Sequence, residues 1–133
     1  WSFAGTGEQR VELIRSAGQL HRLLVQIEKA PGSLLSADPG TAAASKIDNI
    51  RLEYGGNVRP YDYTPASLLQ SINNRYYGDV LPYDVLSFDF VRENPIRDII
   101  LLQSVTELAV TPTINSAVTV TAGRVYPLLE TLF

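Results

Sequence analysis

Apolar and polar positions trade places at nearly every step from Leu20 to Lys29. His21, Leu23, Val25 and Ile27 fall on one side and Arg22, Leu24, Gln26 and Glu28 on the other, the period of two that a half-buried strand requires. Leu and Glu would also suit a helix. Gly18 before the segment, Pro31-Gly32 after it and the β-branched Val25 and Ile27 on one face favour a strand. Arg10 to Arg15 is a shorter candidate, with Val11 and Leu13 on one face. Ser33 to Ser45 reads as a loop of small residues, Pro and Gly, long for a compact domain and therefore suited to contact. From Ile47 to Tyr54 the alternation returns with a phase slip: Ile47 and Ile50 are three apart, while Ile50, Leu52 and Tyr54 keep step. A bulge near Asp48-Asn49 would restore the face.

Gly55-Gly56-Asn57 supplies residues that reach positive φ cheaply, so the chain can reverse there. Val58 to Tyr63 then reads as an edge segment, because Pro60 cannot donate to a ladder. Thr64-Pro65 opens the one helix expected, from Pro65 to about Tyr76. Leu68, Leu69, Ile72 and Tyr76 form its apolar stripe, Gln70, Ser71, Asn73 and Asn74 face away, and Gly78 ends it. Val85 to Val91 alternates with Leu86, Phe88 and Phe90 inward, and Asn94-Pro95 breaks the chain. Ile99 to Leu102 is either a buried strand or one helical turn. Leu108 to Val110 and Ala117 to Ala122 are expected as the last strands, with a break at Thr111-Pro112, and Tyr126-Pro127 leads to an apolar tail. Seven or eight short strands with one inserted helix predict a mainly β fold, an antiparallel β-sandwich of the single jelly-roll kind. The strands do not alternate with helices, which excludes a doubly wound parallel sheet.

Composition adds bounds. A chain of 133 residues with 45% apolar and 19% charged residues is of a size and make-up to form one domain, without metal or disulfide support. The apolar run Ile99 to Leu102 is too short to cross a bilayer, and no basic region followed by an apolar block marks a signal peptide near Trp1. A net charge of −3 and only two lysines, Lys29 and Lys46, argue against direct nucleic-acid binding. Zero cysteines remove thiolate chemistry and zinc fingers together.

Little in the chain points to catalysis. His21 is the one histidine and sits mid-strand on an apolar face, as a core or interface histidine would. The carboxylates Asp79, Asp84, Asp89, Glu93 and Asp98 read as solvated strand edges and loop caps, the alternative being a paired-carboxylate hydrolase with two of them across a cleft. Gly5-Thr6-Gly7 is neither a dinucleotide fingerprint nor a P-loop. No catalytic residue, metal ligand or cofactor is expected. Tyr54, Tyr61, Tyr63, Tyr76, Tyr77 and Tyr83 gather around the helix; they read as a mix of core and interface, with a sugar-stacking platform on a carbohydrate-binding module as the alternative. Trp1 to Gly7 is either a frayed terminus or an arm whose Trp1 and Phe3 dock on a neighbour.

From Lys46 to Phe133 the pattern resembles the jelly-roll major capsid proteins of tailless, icosahedral, membrane-containing double-stranded DNA phages. The matching features are the strand ending in Glu53-Tyr54-Gly55-Gly56, the helix at Pro65 to Tyr76, the aromatic strand at Leu86 to Phe90, the late strands near Leu108 and Val118, and the apolar C-terminal segment. Leu20 to Ala30 with its small-residue loop resembles the family's opening strand. The length is half that of double jelly-roll coat proteins, so the resemblance is to the small, single-roll type. It implies one domain over 1–133, with an N-terminal arm at about 1–9 and an apolar tail at about 127–133. It also implies a non-enzymatic capsid subunit, located in the virion and in host cytoplasm during assembly. Such a subunit would form homo-oligomers (a dimer or higher), meet a second coat protein and lie near an internal membrane. Self-association is expected through Trp1, Phe3, Tyr61, Tyr63, Tyr76, Tyr77, Leu128, Leu129, Leu132 and Phe133; the apolar residues of arm and tail have the alternative of closing the ends of their own sandwich.

Overall fold

The computed structural model describes residues 1–13, 19–34, 46–55, 58–77, 85–90, 100–101 and 107–132, with the backbone alone at 19, 34, 74, 76, 77, 100, 101 and 132. Along the chain run β1 (Ser2–Phe3), β2 (Gly7–Glu8), β3 (Val11–Glu12), β4 (Gln19–Ala30), β5 (Ser33–Leu34), β6 (Ile47–Tyr54), β7 (Val58–Pro65), α1 (Ala66–Tyr77), β8 (Val85–Asp89), β9 (Ile100–Leu101), β10 (Leu108–Ile114) and β11 (Gly123–Leu132). All the strand pairs are antiparallel.

The strands divide between two sheets. In the first, β1, β11 and β4 lie side by side, and β9, β8 and β5 follow one another along the far side of β4. In the second, β2 and β3 share one side of β10, followed by β6 and β7. The chain crosses between sheets at six of the ten connections between these strands, and its last strand returns to lie beside its first. That alternation is the topology of a jelly roll, as the strand pattern predicts. The core forms where the inward faces meet: Leu23, Val25, Leu86, Phe88 and Val125 from the first sheet, and Val11, Ile50, Leu52, Val110 and Ile114 from the second, all fully buried. Each contributes about 1.5–3 kcal/mol of burial.

β4 and β6 run where the alternation places them, and the phase slip in β6 is a bulge. Thr113 faces Asn49 and Ile114 faces Ile47, so Asp48 is the extra residue, as expected. A second bulge lies in β4, where Glu130 faces Arg22 and Thr131 faces Leu20. The extra residue is His21, and the shift lets Leu20 join Leu23 and Val25 in the core.

Three expectations about the strands fail. β10 runs through Thr111-Pro112 rather than stopping there. Leu108 and Pro112 turn their carbonyls toward the β2–β3 side, accepting from Leu13 and Gln9. The pairings of β2 and β3 share one register that sets Gln9 opposite Pro112, so the missing N–H forfeits one bond of that pair and divides β2 from β3, while the ladder to β6 on the other side is untouched. Ala117 to Ala122 is a loop, not a strand. Asn115 folds it back, its side-chain oxygen accepting from Ala117 N–H at 2.8 Å and its carbonyl from Val118 N–H at 3.1 Å, an Asx turn that competes with the ladder. The final strand is instead β11, which absorbs the expected tail at 127–133 up to Leu132. Val125 N–H donates to the carbonyl of Trp1 across the outer edge of β11. Pro127, two residues on, turns its nitrogen to that same edge, away from β4, so the ladder between β11 and β4 runs through it.

Helix α1 lies against β8, β6 and β7. Ala66, Leu69 and Asn73 are buried on it, whereas Leu68 is exposed, which corrects the expected stripe. Asn73 faces inward because it completes β8: its amide nitrogen donates to the Ser87 carbonyl at 3.0 Å and its oxygen accepts from Ser87 N–H at 3.2 Å, the orientation that satisfies both ends. The side chain thus stands in for the next strand.

Candidate functional site

The functional surfaces are the two outer sheet faces, since the inner faces are consumed by the core. On the second sheet, parity along β6 turns Asn49, Arg51 and Glu53 outward. Glu53 takes a different arginine on each oxygen, Arg10 Nε at 3.3 Å and Arg59 Nε at 3.5 Å, with only 9% of its side chain exposed. Arg10 also reaches Glu12 and Glu107. Arg59 approaches Asp62 at 3.9 Å, Asp62 forms an ion pair with Arg51 at 3.2 Å from Nε, and Arg51 reaches Glu8 at 3.7 Å. Three arginines and five carboxylates thereby form one lattice across the face, with an acidic excess of two. The Arg10 guanidinium is held above its ordinary pKa, first by its hydrogen bond to Glu12, with partial desolvation opposing and Glu53 and Glu107 adding to the rise.

Tyr63 stands beside this lattice. Its ring lies under the Arg51 guanidinium at 4.1 Å, its side chain is 51% exposed, and its backbone is left-handed at φ 51°. The pairing with β6 skips one residue of β7 between Thr64 and Tyr61, and Tyr63 occupies that irregular stretch. A tyrosine held there is strained by about 1–2 kcal/mol.

The first sheet has a different outer face. Across β11 and β4 the outward pairs are Arg124 with Glu28, Tyr126 with Gln26, Leu128 with Leu24, and Glu130 with Arg22. Tyr126 donates to Glu28 at 3.1 Å, and Arg22 approaches Glu130 at 3.6 Å and Asp89 at 3.9 Å. The Arg124 pKa is raised, first by its hydrogen bond to Tyr126 and last by the Glu28 charge. Between these polar ends sits Leu128, 62% exposed, beside half-buried Leu24.

The expected contact residues scatter. Phe3 is no docking arm: its ring is 6% exposed and lies in the core cluster, held because β1 pairs with β11 at Gly123. Trp1 stacks on it at 6.1 Å and stays half exposed at the rim. Tyr61 also turns to the core, edge-on to Phe88 at 4.9 Å, and Leu129 packs inward by strand parity. Tyr63 and Leu128 are exposed on opposite sheets. Tyr76 and Tyr77 close α1 and Leu132 closes β11, but their side chains, like Phe133, Tyr83 and the carboxylates Asp79, Asp84, Glu93 and Asp98, lie outside the described residues. Tyrosine rings are therefore not gathered into a platform among the described residues. Nor do three His, Cys, Asp or Glu side chains there converge as metal ligands, and no described helix is long and apolar enough to cross a membrane.

Sequence reasoning missed Leu24, Asn73 and the Glu53 lattice. Leu24 had a signal: Leu23-Leu24-Val25 is apolar on both faces of a strand whose outer side is otherwise polar. Asn73 had none, because an amide looks the same facing water or a strand edge.

No family model matches this chain, and no curated protein matches it. Among solved structures, the chain is similar to the major capsid protein P2 from bacteriophage PM2, with a TM-score of 0.62 at 17% identity. The match covers 95% of this chain and 45% of that one, so this chain spans less than half of its structural relative's length. At that identity the likeness is one of fold.

Proposed function

We propose that this chain is a structural subunit of a virus shell, a coat protein that self-associates and tiles with other coat subunits into an icosahedral capsid. The observation that carries the reading is the jelly-roll sandwich itself, which superposes over 95% of its length on a phage major capsid protein. The physical chemistry is compatible with it. A rigid two-sheet body offers two broad outer faces, one ionic and one with an apolar centre, and closed symmetric repetition multiplies contacts that are weak singly.

On this reading the protein works without catalysis, resides in the virion and passes through host cytoplasm during assembly. A second coat protein fills the positions that a single roll leaves open. The shell lies close to an internal membrane, and the genome is not touched directly, in keeping with the acidic balance of −3. The test is assembly: the purified chain, alone and with co-expressed structural proteins of its source, is concentrated and imaged by electron microscopy. Rings, sheets or shells of regular capsomers are expected. A chain that stays dispersed under all these conditions, and that antibodies do not find on virus particles, would remove the proposal.

A further inference from the structure

The outer face of the first sheet carries a charge pattern that is complementary to itself. Its four polar corners alternate in sign: Arg124 and Glu28 at one end of the β11–β4 pair, Glu130 and Arg22 at the other. Each end holds one arginine and one carboxylate, Arg124 across from Glu28 in the strand pairing and Arg22 at 3.6 Å from Glu130. The face therefore presents little net field to a charged partner. A half-turn about an axis lying in the contact plane and parallel to the strands sets β11 of one copy over β4 of the other. Arg124 then meets Glu28 of the second copy, Glu130 meets its Arg22, and Leu128 meets its Leu24. Every corner finds the opposite sign, and four leucines close the centre.

We propose that a second copy of this chain docks on this face by that two-fold rotation, a homotypic contact that rests on the reading of the protein as a self-associating shell subunit and names the surface it uses. Seven residues on two strands span roughly 24 by 10 Å, on the order of 240 Å². A stable pair needs about 800 Å² per partner. The contact is consequently weak alone and becomes durable only when repeated, as tiling requires. Occupancy by a strand added at a sheet edge is disfavoured, because Pro127 removes a donor from the open rim of β11 and Asn73 fills that of β8.

Sedimentation velocity on the full chain, from micromolar to roughly millimolar concentration as so small an interface demands, provides the test. The wild type should sediment faster as concentration rises, and Leu128→Asp, at a site exposed enough to leave the fold intact by circular dichroism, should weaken association at least tenfold. Leu68→Asp, exposed on α1, should change nothing. Arg124→Glu and Glu28→Arg should each associate poorly alone and recover when mixed, because each supplies the sign the other now needs. Equal association of wild type and Leu128→Asp, or no recovery on mixing, overturns this face while leaving the shell reading intact. A wild type that remains monomeric at the highest concentration and also fails to assemble overturns both.

Discussion

Gly123 is the position where one methyl group should dislodge a buried ring. A Cβ built there would lie 2.3 Å from Cζ of Phe3 and 2.5 Å from both Cε atoms, far inside van der Waals contact. The backbone at Gly123 does not need glycine, since it is not among the positive-φ residues; the requirement is the ring lying flat on the strand. In Gly123→Ala either the ring leaves or β11 moves, and β11 is locked along β4 from Gln19 to Glu28. The ring should leave. Its burial is worth about 1.5–3 kcal/mol. The reciprocal Trp1–Val125 backbone bonds at 2.8 and 3.2 Å, which hold β1 in place, add roughly 0.5–1.5 kcal/mol each. Since the two-residue β1 can slide outward and keep part of this, the expected loss is about 2–3 kcal/mol.

The decisive measurement is a double-mutant cycle by urea unfolding. Phe3→Ala should cost about 3 kcal/mol, the low end for a buried phenylalanine because β1 is peripheral. In that background Gly123→Ala should be neutral or stabilise by up to about 1 kcal/mol, as alanine restricts the unfolded chain. The coupling should then reach about 2 kcal/mol or more. Trp1 is the one tryptophan and stacks on Phe3, so its emission in native buffer should shift to the red in Gly123→Ala while far-ultraviolet dichroism stays unchanged. An equal loss in both backgrounds would refute the clash as the cause.

Asn73→Leu removes both bonds to Ser87 and leaves a buried N–H and carbonyl unpaired, an expected loss of about 2–4 kcal/mol, with faster amide exchange at Ser87 as the specific readout. Glu53→Gln breaks the lattice at its most buried carboxylate; with both arginines substantially exposed the loss should be about 1–2 kcal/mol, and the gap to wild type in thermal melts should narrow in 1 M salt, where charge interactions reach only about 3 Å. At Tyr63, Asn relieves left-handed strain of about 1 kcal/mol while forfeiting a cation–π contact of similar size, so its melting point should match wild type, whereas Val keeps the strain, adds branching and should destabilise by at least about 1 kcal/mol.

What could be read from the sequence was whatever depended on period. β4, β6 and β8 declare themselves because one face of each is apolar and the other carries mostly polar residues, so alternation survives even a bulge at Asp48. What depended on neighbours could not be read. Pro112 and Pro127 look like terminators, and both sit inside strands because the N–H each lacks would point toward the margin of its sheet, leaving the ladders to β6 and β4 intact. Asn73 and Gly123 are set by the residue opposite, Ser87 and the Phe3 ring, which only the fold brings near. The two ends of the chain are likewise set by each other. They pair with each other as β1 and β11, the long-range contact that closes the roll, and no local pattern announces a partner more than a hundred residues away.

The treatment of the sheet edges bears on how copies meet. At one side of the second sheet β7 carries Pro60, two register breaks and a left-handed Tyr63; at the other, β2 and β3 are two residues each. In the first sheet β8 is completed by Asn73, and the rim of β11 is capped by β1 and interrupted at Pro127. Open edges accept any extended chain in many registers and grow without closing. A subunit that tiles needs contacts with one geometry, and faces give that, because charges and leucines at fixed positions along rigid strands admit few settings. If the chain tiles as proposed, blunted edges beside two patterned faces favour association through side chains on those faces over strand addition.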